Sequence, residues 1–301
     1  MLPIFKRICS FGQRALTIPD LCYGARCPLS QQYDTVLVYL PKGQLLTKLI
    51  LQMVAPLLPP GGRLLLVGQN NAGIRSCVAL LEETIGPTHK VDAARHCLLI
   101  QATMQKRAPA FDLEAWGVSY QVAVKHTSLT VENLPGVFSY GRLDEGTAFL
   151  LTTLTGSMTG RVLDFGCGAG VIGAALKFLA PKTTLDLIDS NALALAATHR
   201  TLATNGLQAN GIYPSHIFSD VHTRYDWIVS NPPFHTGIQT DFQVVTTFFK
   251  QAVNYLEPGG RLRIVANRFL KYQPLLESNV GKCRILAENS KYRVYEATCD
   301  K

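Results

Sequence analysis

The sequence predicts a two-unit α/β protein: a seven-stranded, doubly wound (Rossmann-like) sheet in the C-terminal half, preceded by a degenerate, partial copy of the same architecture. Three observations carry this reading. From Arg161 onward, short β-rich runs alternate with longer helical runs; a glycine-rich turn follows the first strand of that series; and two N-terminal segments recur in order in the C-terminal half. Regular alternation implies parallel strands, because a parallel pair needs a crossover connection that is usually a helix. At 301 residues and 47% hydrophobic content the chain exceeds one average domain, and it is divided here into residues 1–125 and 126–301.

The elements follow from the pattern. Arg161–Phe165 is a first strand, and Gly166-Cys167-Gly168-Ala169-Gly170 turns it into a helix over Val171–Leu179. Leu185–Ile188 is a second strand, closed by Asp189. The next helix, Ala192–Ala203, stops at Asn205-Gly206, where glycine supplies the left-handed C-cap. A third strand fits Gly211–Phe218. The fourth, Tyr225–Ser230, ends where Pro232 and Pro233 remove ladder donors. A helix over Val244–Tyr255 leads through Glu257-Pro258-Gly259-Gly260 to a strand at Arg261–Val265. Cys283–Ala287 and Tyr292–Ala297 flank Asn289-Ser290 as a closing hairpin. Such sheets bind ligands at the carboxyl ends of their strands, where every unusual motif of this half falls.

Glycines in a turn after a strand let backbone N–H groups approach a ligand, so Gly166, Cys167, Gly168 and Gly170 form a candidate cofactor loop. A G-x-G-x-G string alone is weak evidence. Asp164 sharpens it: a carboxylate at the strand end repels a pyrophosphate but can hold the ammonium of a methionine moiety, or else it caps the loop. Asp189, with Ser190 beside it, stands about twenty residues further on, where an acid accepts from ribose hydroxyls. His216 and Asp220 are both candidates for an adenine contact, and the sequence does not choose between them. Phe138 to Thr147 reads as a lid from which Asp144, Gly146 and Thr147 reach the cofactor; the plainer reading makes Asp144 a helix N-cap.

Asn231-Pro232-Pro233-Phe234 is the most specific string and the candidate catalytic loop. An exocyclic amine on a base is a poor nucleophile because its lone pair is delocalised. Two acceptors, the Asn231 side-chain oxygen and the Pro232 carbonyl, can hold both amine hydrogens and stabilise the charge that develops on nitrogen. The prolines fix φ and preorganise those acceptors. Phe234 can stack on a flipped or single-stranded base. His235 ranks second, as a positioning residue. Together these motifs predict a class I S-adenosylmethionine-dependent methyltransferase with no metal requirement.

In the N-terminal half, Tyr33–Pro41 parallels Tyr225–Pro233, and Pro60–Val67 parallels Pro258–Val265, with helical patterns between. This register assigns Val67–Gly73 to a fifth-strand position and not to a second cofactor loop. Tyr39 stands where Asn231 stands, and no earlier glycine loop follows a strand-end Asp. The N-terminal unit therefore reads as a decayed duplicate with a scaffolding or RNA-contacting role.

The formal net charge of +8 favours approach to a polyanion, although the Lys and Arg residues are scattered. Eight cysteines without a Cys-x-x-Cys pair read as free thiols in a reducing compartment. Neither a secretory signal nor an apolar run near the ~20 residues of a membrane span is found, so a cytoplasmic location is the expectation. A monomer is also expected, although no residue pattern decides the oligomeric state.

These residues resemble the ribosomal RNA small subunit methyltransferase C family. The resemblance covers nearly the whole chain, through Leu134–Ser139, Leu143-Asp144, Asp164–Gly170, Ser230–His235 and Leu262–Asn267, with Gly73–Ser76 and Lys90–Arg95 in the first half. It implies methylation of guanine N2 in 16S ribosomal RNA of the small subunit, by an active C-terminal domain joined to an inactive N-terminal one. Against the family pattern the chain begins late, so the front of the N-terminal domain is expected to be shortened or absent, and Arg142 stands where glycine is favoured. Other readings of the Asn-Pro-Pro-aromatic loop are methylation of adenine N6 or of a glutamine amide. The non-enzyme alternative is a cofactor-binding RNA module.

Overall fold

The computed structural model describes residues 23–27, 32–232 and 239–300. They fall into two compact units that divide between Gly117 and Val118. The first contains β1 (Thr35–Tyr39), α1 (Gln44–Val54), β2 (Arg63–Gln69), α2 (Val78–Thr84), β3 (Thr88–Ala94) and β4 (Cys97–Thr103), with the sheet order β1-β2-β4-β3. α1 buries Leu49, Ile50, Leu51, Met53 and Val54 and so faces the core of its unit.

The second unit opens with a hairpin, β5 (Val118–Val124) and β6 (Thr127–Asn133), which forms a two-stranded sheet of its own. There follow α3 (Glu145–Leu151), β7 (Arg161–Phe165), α4 (Val171–Leu179), β8 (Thr184–Asp189), α5 (Ala192–Thr204), β9 (Gly211–Pro214), β10 (Tyr225–Ser230), α6 (Gln239–Ala252), β11 (Leu256–Asn267), α7 (Gln273–Asn279), β12 (Cys283–Glu288) and β13 (Tyr292–Thr298). The seven-stranded sheet runs β12-β13-β11-β10-β7-β8-β9, and only the pairings of β13 are antiparallel. The chain winds from β7 outward through β8 and β9, then returns to add β10 on the other side of β7. The crevice of a doubly wound sheet opens at that reversal. Its two lips are the ends of β7 and β10, held in register by Ser230 opposite Phe165.

One face of the sheet is filled by aromatics. Phe165 stacks on Phe248 of α6 at 4.0 Å between centroids, and Phe218 stacks on Tyr255 at 4.4 Å. Leu163, Ile228, Phe249, Leu262 and Ile264 complete this core, so the strand ends rest on a closely packed base.

Three expectations need correction. The third strand stops at Pro214 instead of continuing to Phe218, because proline cannot donate to a ladder and the chain turns at once: His216 N donates to Ser219 Oγ and Ile217 has φ 56°. The fifth strand is longer than Arg261–Val265 and carries Pro258-Gly259-Gly260 within it as a bulged stretch. α7 was not anticipated; it is two turns long and starts with Gln273-Pro274, with only Leu276 fully buried.

The two units repeat each other beyond the segments visible in sequence. Thr35 pairs with Arg63 across β1–β2, as Trp227 pairs with Arg261 across β10–β11. Arg63 faces Thr103, as Arg261 faces Thr298. The outer hairpins share an irregularity, a one-residue bulge after Lys90 in β3 and after Ile285 in β12. Backbone bonds match too. Asn70 N donates to His96 O at 2.8 Å and Arg268 N to Lys291 O at 2.7 Å; Gly61 N donates to Met104 O and Gly259 N to Cys299 O. Gly86 and Gly281 have φ 143° and 144°, and a Cβ on either would lie 2.4 or 2.3 Å from the carbonyl oxygen of Thr103 or Thr298. Among the described residues the first unit thus holds counterparts of β10, β11, β13 and β12, and none of β7, β8 or β9. Among them, too, no helix is long and apolar enough to cross a membrane.

Candidate active site

The ends of β7 and β8 form one wall. Gly166, Gly168 and Gly170 all have positive φ (71°, 56° and 77°), as the tight turn requires. A Cβ on Gly166 or Gly168 would meet nothing within 4 Å, so this backbone faces open space, whereas Gly170 is closed off by Thr198 at 3.1 Å. The loop is anchored from behind by Gly166 N and Cys167 N, both donating to Ile188 O at 2.9 Å. Cys167 is buried and accepts from Thr198 Oγ1, so only its backbone borders the open space. Burial, and after it the carboxylates of Asp189 and Asp164, push the Cys167 thiol well above the usual range and keep it unreactive.

Asp164 is wholly buried. Its Oδ2 accepts from Gly173 N at 2.8 Å in the first turn of α4, while its Oδ1 has no hydrogen-bond partner. Desolvation pushes the carboxyl up to about 7; the Gly173 bond works against this and the Asp189 charge adds to it. An orphaned buried carboxylate oxygen costs free energy unless something pairs with it. Asp189 accepts from Gly168 N at 3.0 Å and from Asn191 N at 2.8 Å, tying the end of β8 to the glycine loop, and burial raises its carboxyl as well. Ser190 follows it on the surface. His216 and Asp220 are exposed on the loop after β9, where Asp220 Oδ2 accepts from Ser219 Oγ.

The opposite wall is the end of β10. Ser230 is buried and donates to Phe165 O at 2.7 Å, which fixes this end against β7. Asn231 then projects its amide at the N-terminus of α3. Its Nδ2 donates to Asp144 Oδ2 at 2.9 Å and to Thr147 Oγ1 at 2.8 Å. The orientation of the amide is determined, since turning it over would set its oxygen against an acceptor-only carboxylate. Both N–H hydrogens are therefore engaged, and Oδ1 is left as an acceptor. Asp144 Oδ2 also accepts from Thr147 N at 2.7 Å, so the N-cap of α3 and the clamp on Asn231 are the same carboxylate. Pro232 is buried behind the asparagine. Pro233, Phe234 and His235 lie outside the described residues.

α3 is itself held. Arg263 of β11 donates to Thr153 O just beyond the helix and pairs with Glu296, its directly opposed neighbour on β13; both side chains are almost fully buried. Arg284 also pairs with Glu296, at 2.6 Å. On the other side of the α3 N-terminus, Tyr292 packs against Gly146, where a Cβ would come 3.2 Å from the tyrosine ring.

The structure thus gathers Asp164, the glycine loop and Asp189 on one wall, and Asn231, Pro232, Asp144, Gly146 and Thr147 on the other. His216 stays on an exposed loop. Sequence reasoning placed Asp144 and Thr147 beside the cofactor; their observed contacts are with Asn231. It gave Ser230 no role of its own and missed the parts played by Arg263, Glu296 and Tyr292. A single charge inside each of the apolar runs Leu262–Val265 and Tyr295–Ala297 was the available signal for the buried pair. Among the described residues no group of His, Cys, Asp and Glu could hold a metal ion.

Comparison with known proteins gives a consistent result. Residues 128–296 match the family described as methyltransferase small domain, and residues 9–120 match methyltransferase small domain N-terminal. The ribosomal RNA small subunit methyltransferase C of Psychromonas ingrahamii is 41% identical over 263 residues, covering 87% of this chain and 75% of that protein. The enzyme of the same name from Shewanella putrefaciens is 43% identical, covering 88% and 76%. Among solved structures, the T. thermophilus 16S rRNA N2 G1207 methyltransferase in complex with AdoMet and guanosine superimposes with a TM-score of 0.79 at 28% identity, covering 89% of this chain and 73% of that one.

Proposed function

The chain belongs to the ribosomal RNA small subunit methyltransferase C family, and from that premise we propose that it transfers a methyl group from S-adenosylmethionine to the exocyclic N2 amine of a guanine in 16S ribosomal RNA. The observation that carries the reading is the pinned amide of Asn231, whose Nδ2 is committed to Asp144 and Thr147 and whose Oδ1 is left to accept.

The residues of the first wall fit the cofactor. Gly166 and Gly168 offer an open cradle, and the unpaired Asp164 Oδ1 awaits a donor, which the ammonium of a methionine moiety supplies. In this reading Asp189 and Ser190 take the ribose hydroxyls, and His216 borders the adenine. Bound S-adenosylmethionine supplies an electrophilic methyl group on a positively charged sulfur.

The chain does the rest by placement. Asn231 Oδ1 and the Pro232 carbonyl oxygen accept the two hydrogens of the amine, which weakens the conjugation of its lone pair with the ring. As the N–C bond forms, positive charge grows on nitrogen next to those two oxygens, which stabilise it. The surplus proton is acidic after alkylation and leaves to water, so no strong base is required. Asp144 and Thr147 act through Asn231 and are positioning residues. Pro233 and Phe234 complete the loop, with Phe234 stacking on the base.

Catalysis is assigned to the second unit, which begins at Val118 and so takes in the whole β5–β6 hairpin that a division at residues 125/126 would split, and a scaffolding or RNA-contacting role to the first unit. The substrate is 16S ribosomal RNA, free or within the small subunit, met in the cytoplasm where ribosomes are built, and the protein acts as a monomer. The test is mass spectrometry of ribosomal nucleosides after incubation with labelled cofactor. Label in N2-methylguanosine, lost in Asn231→Ala at nearly unchanged cofactor affinity, is the expected result; label in N6-methyladenosine or in protein would overturn it.

A further inference from the structure

A cavity of about 570 Å³ opens at the carboxyl end of β11, and Arg268, Phe269, Lys271, Lys291, Tyr292 and Arg293 are among the residues that line it. We propose that this groove holds the RNA strand next to the target nucleotide, with its cations on phosphates and Phe269 under a neighbouring base. The inference rests on the reading of the chain as an RNA methyltransferase and adds where the substrate lies beyond the reacting base.

Charge is the first argument. Four cations line the groove against two carboxylates: Glu288 is shared by Arg268 and Arg293, and Glu145 pairs with Lys291. Lys271 is exposed and has no carboxylate partner among the described residues. A positive excess of this kind fits a polyanion, whose phosphates replace condensed counterions with fixed ammonium and guanidinium groups. Phe269 is 61% exposed beside these cations. An aromatic face among basic side chains is the surface that takes unpaired bases without reading their sequence.

Continuity with the reacting centre is the second argument. Tyr292 lines the groove and also packs against Gly146, and Asp144, two residues before it, holds Asn231. Asn289 Oδ1 accepts from the N–H groups of both Lys291 and Tyr292, so the wall between groove and clamp is set by a side-chain turn. β11 adjoins β10, and both carboxyl ends face the same side of the sheet.

The repeat supplies the third argument. The backbone bond Arg268 N to Lys291 O is matched in the first unit by Asn70 N to His96 O, so the fold builds this corner without arginine or lysine at either position. Asn71 follows Asn70 where Phe269 follows Arg268, and Leu98 stands in the ladder place of Arg293. At these compared positions the cations and the aromatic stand in the second unit alone; the first unit's corner carries Arg95, beside His96, in their stead.

The experiment compares Phe269→Ala, Lys271→Glu and their double variant with the unaltered protein, in filter binding to a single-stranded fragment of 16S ribosomal RNA across a salt series. Cofactor affinity is read alongside as a check of the fold. Lys182→Glu, at the amino end of β8, controls for net charge. Each groove variant is expected to weaken RNA binding by about tenfold at unchanged cofactor affinity, and Lys271→Glu to lower the salt slope by about one contact. Lys182→Glu is expected to leave both near the starting value. RNA affinity unchanged in the groove variants, or lowered equally by Lys182→Glu, would overturn the proposal. Because binding is read without turnover, failure of the guanine-N2 assignment shows separately, as the wrong methylated nucleoside.

Discussion

At Asn231 the decisive quantity is the direction in which one amide points. Two neighbours fix it, so each can be removed separately. Thr147→Val deletes one acceptor at nearly constant shape and spares the helix cap; loss of one hydrogen bond is about 1 kcal/mol, and a fall in kcat of about fivefold with little change in cofactor affinity is expected from steady-state kinetics. Asp164 titrates where it matters. Its folded carboxyl lies near pH 7, above its ordinary value of 3.8, so the ligand-free protein loses stability as pH rises from about 4 to about 7, where the unfolded chain ionises first. A cationic ligand reverses the preference: cofactor affinity should rise between pH 6 and pH 8 and flatten in Asp164→Asn, as read by calorimetry. Asn231 was legible because an amide before two prolines at a strand end has few structural uses. The Asp144–Thr147 clamp was not, since its members lie more than eighty residues upstream of Asn231 and only the fold brings them together.

Among the elements, α3 carries the clamp, and β11 holds α3 through Arg263. Arg263→Met leaves Glu296 buried with only the exposed Arg284 and Arg261 to answer it, and also frees Thr153 O. Breaking a buried pair costs about 3–5 kcal/mol, to be read as a lowered urea midpoint at constant m-value. The strands of this unit were legible from their apolar runs, but their ends were less so. Pro214 ends β9 by withholding a donor, while Pro258 is absorbed by a bulge in β11, and composition alone does not separate the two outcomes. α7 escaped notice because seven residues with one fully buried leucine leave almost no periodic signal.

For the whole molecule, the formal net charge of +8 favours approach to a polyanion, which ribosomal RNA is. If the basic surface meets about six phosphates, affinity for ribosomal RNA should fall roughly a thousandfold between about 50 and 200 mM salt; a flat filter-binding curve would place the charge outside recognition. The duplication was legible in Tyr33–Pro41 and Pro60–Val67, where side chains survive, and illegible from α2 to β4, where only register, the shared bulge and Gly86 preserve it. Gly86→Ala and Gly281→Ala should each destabilise by more than about 1 kcal/mol in chemical denaturation, since the same backbone strain awaits a side chain at both. The repeat also gives this chain an internal standard. Two versions of one half-sheet stand in the same polypeptide and share the same solvent. What both share, such as the glycines at 61 and 259, points to the demands of folding; where they differ, as Asn231 does from Tyr39, is where the proposed work would be found.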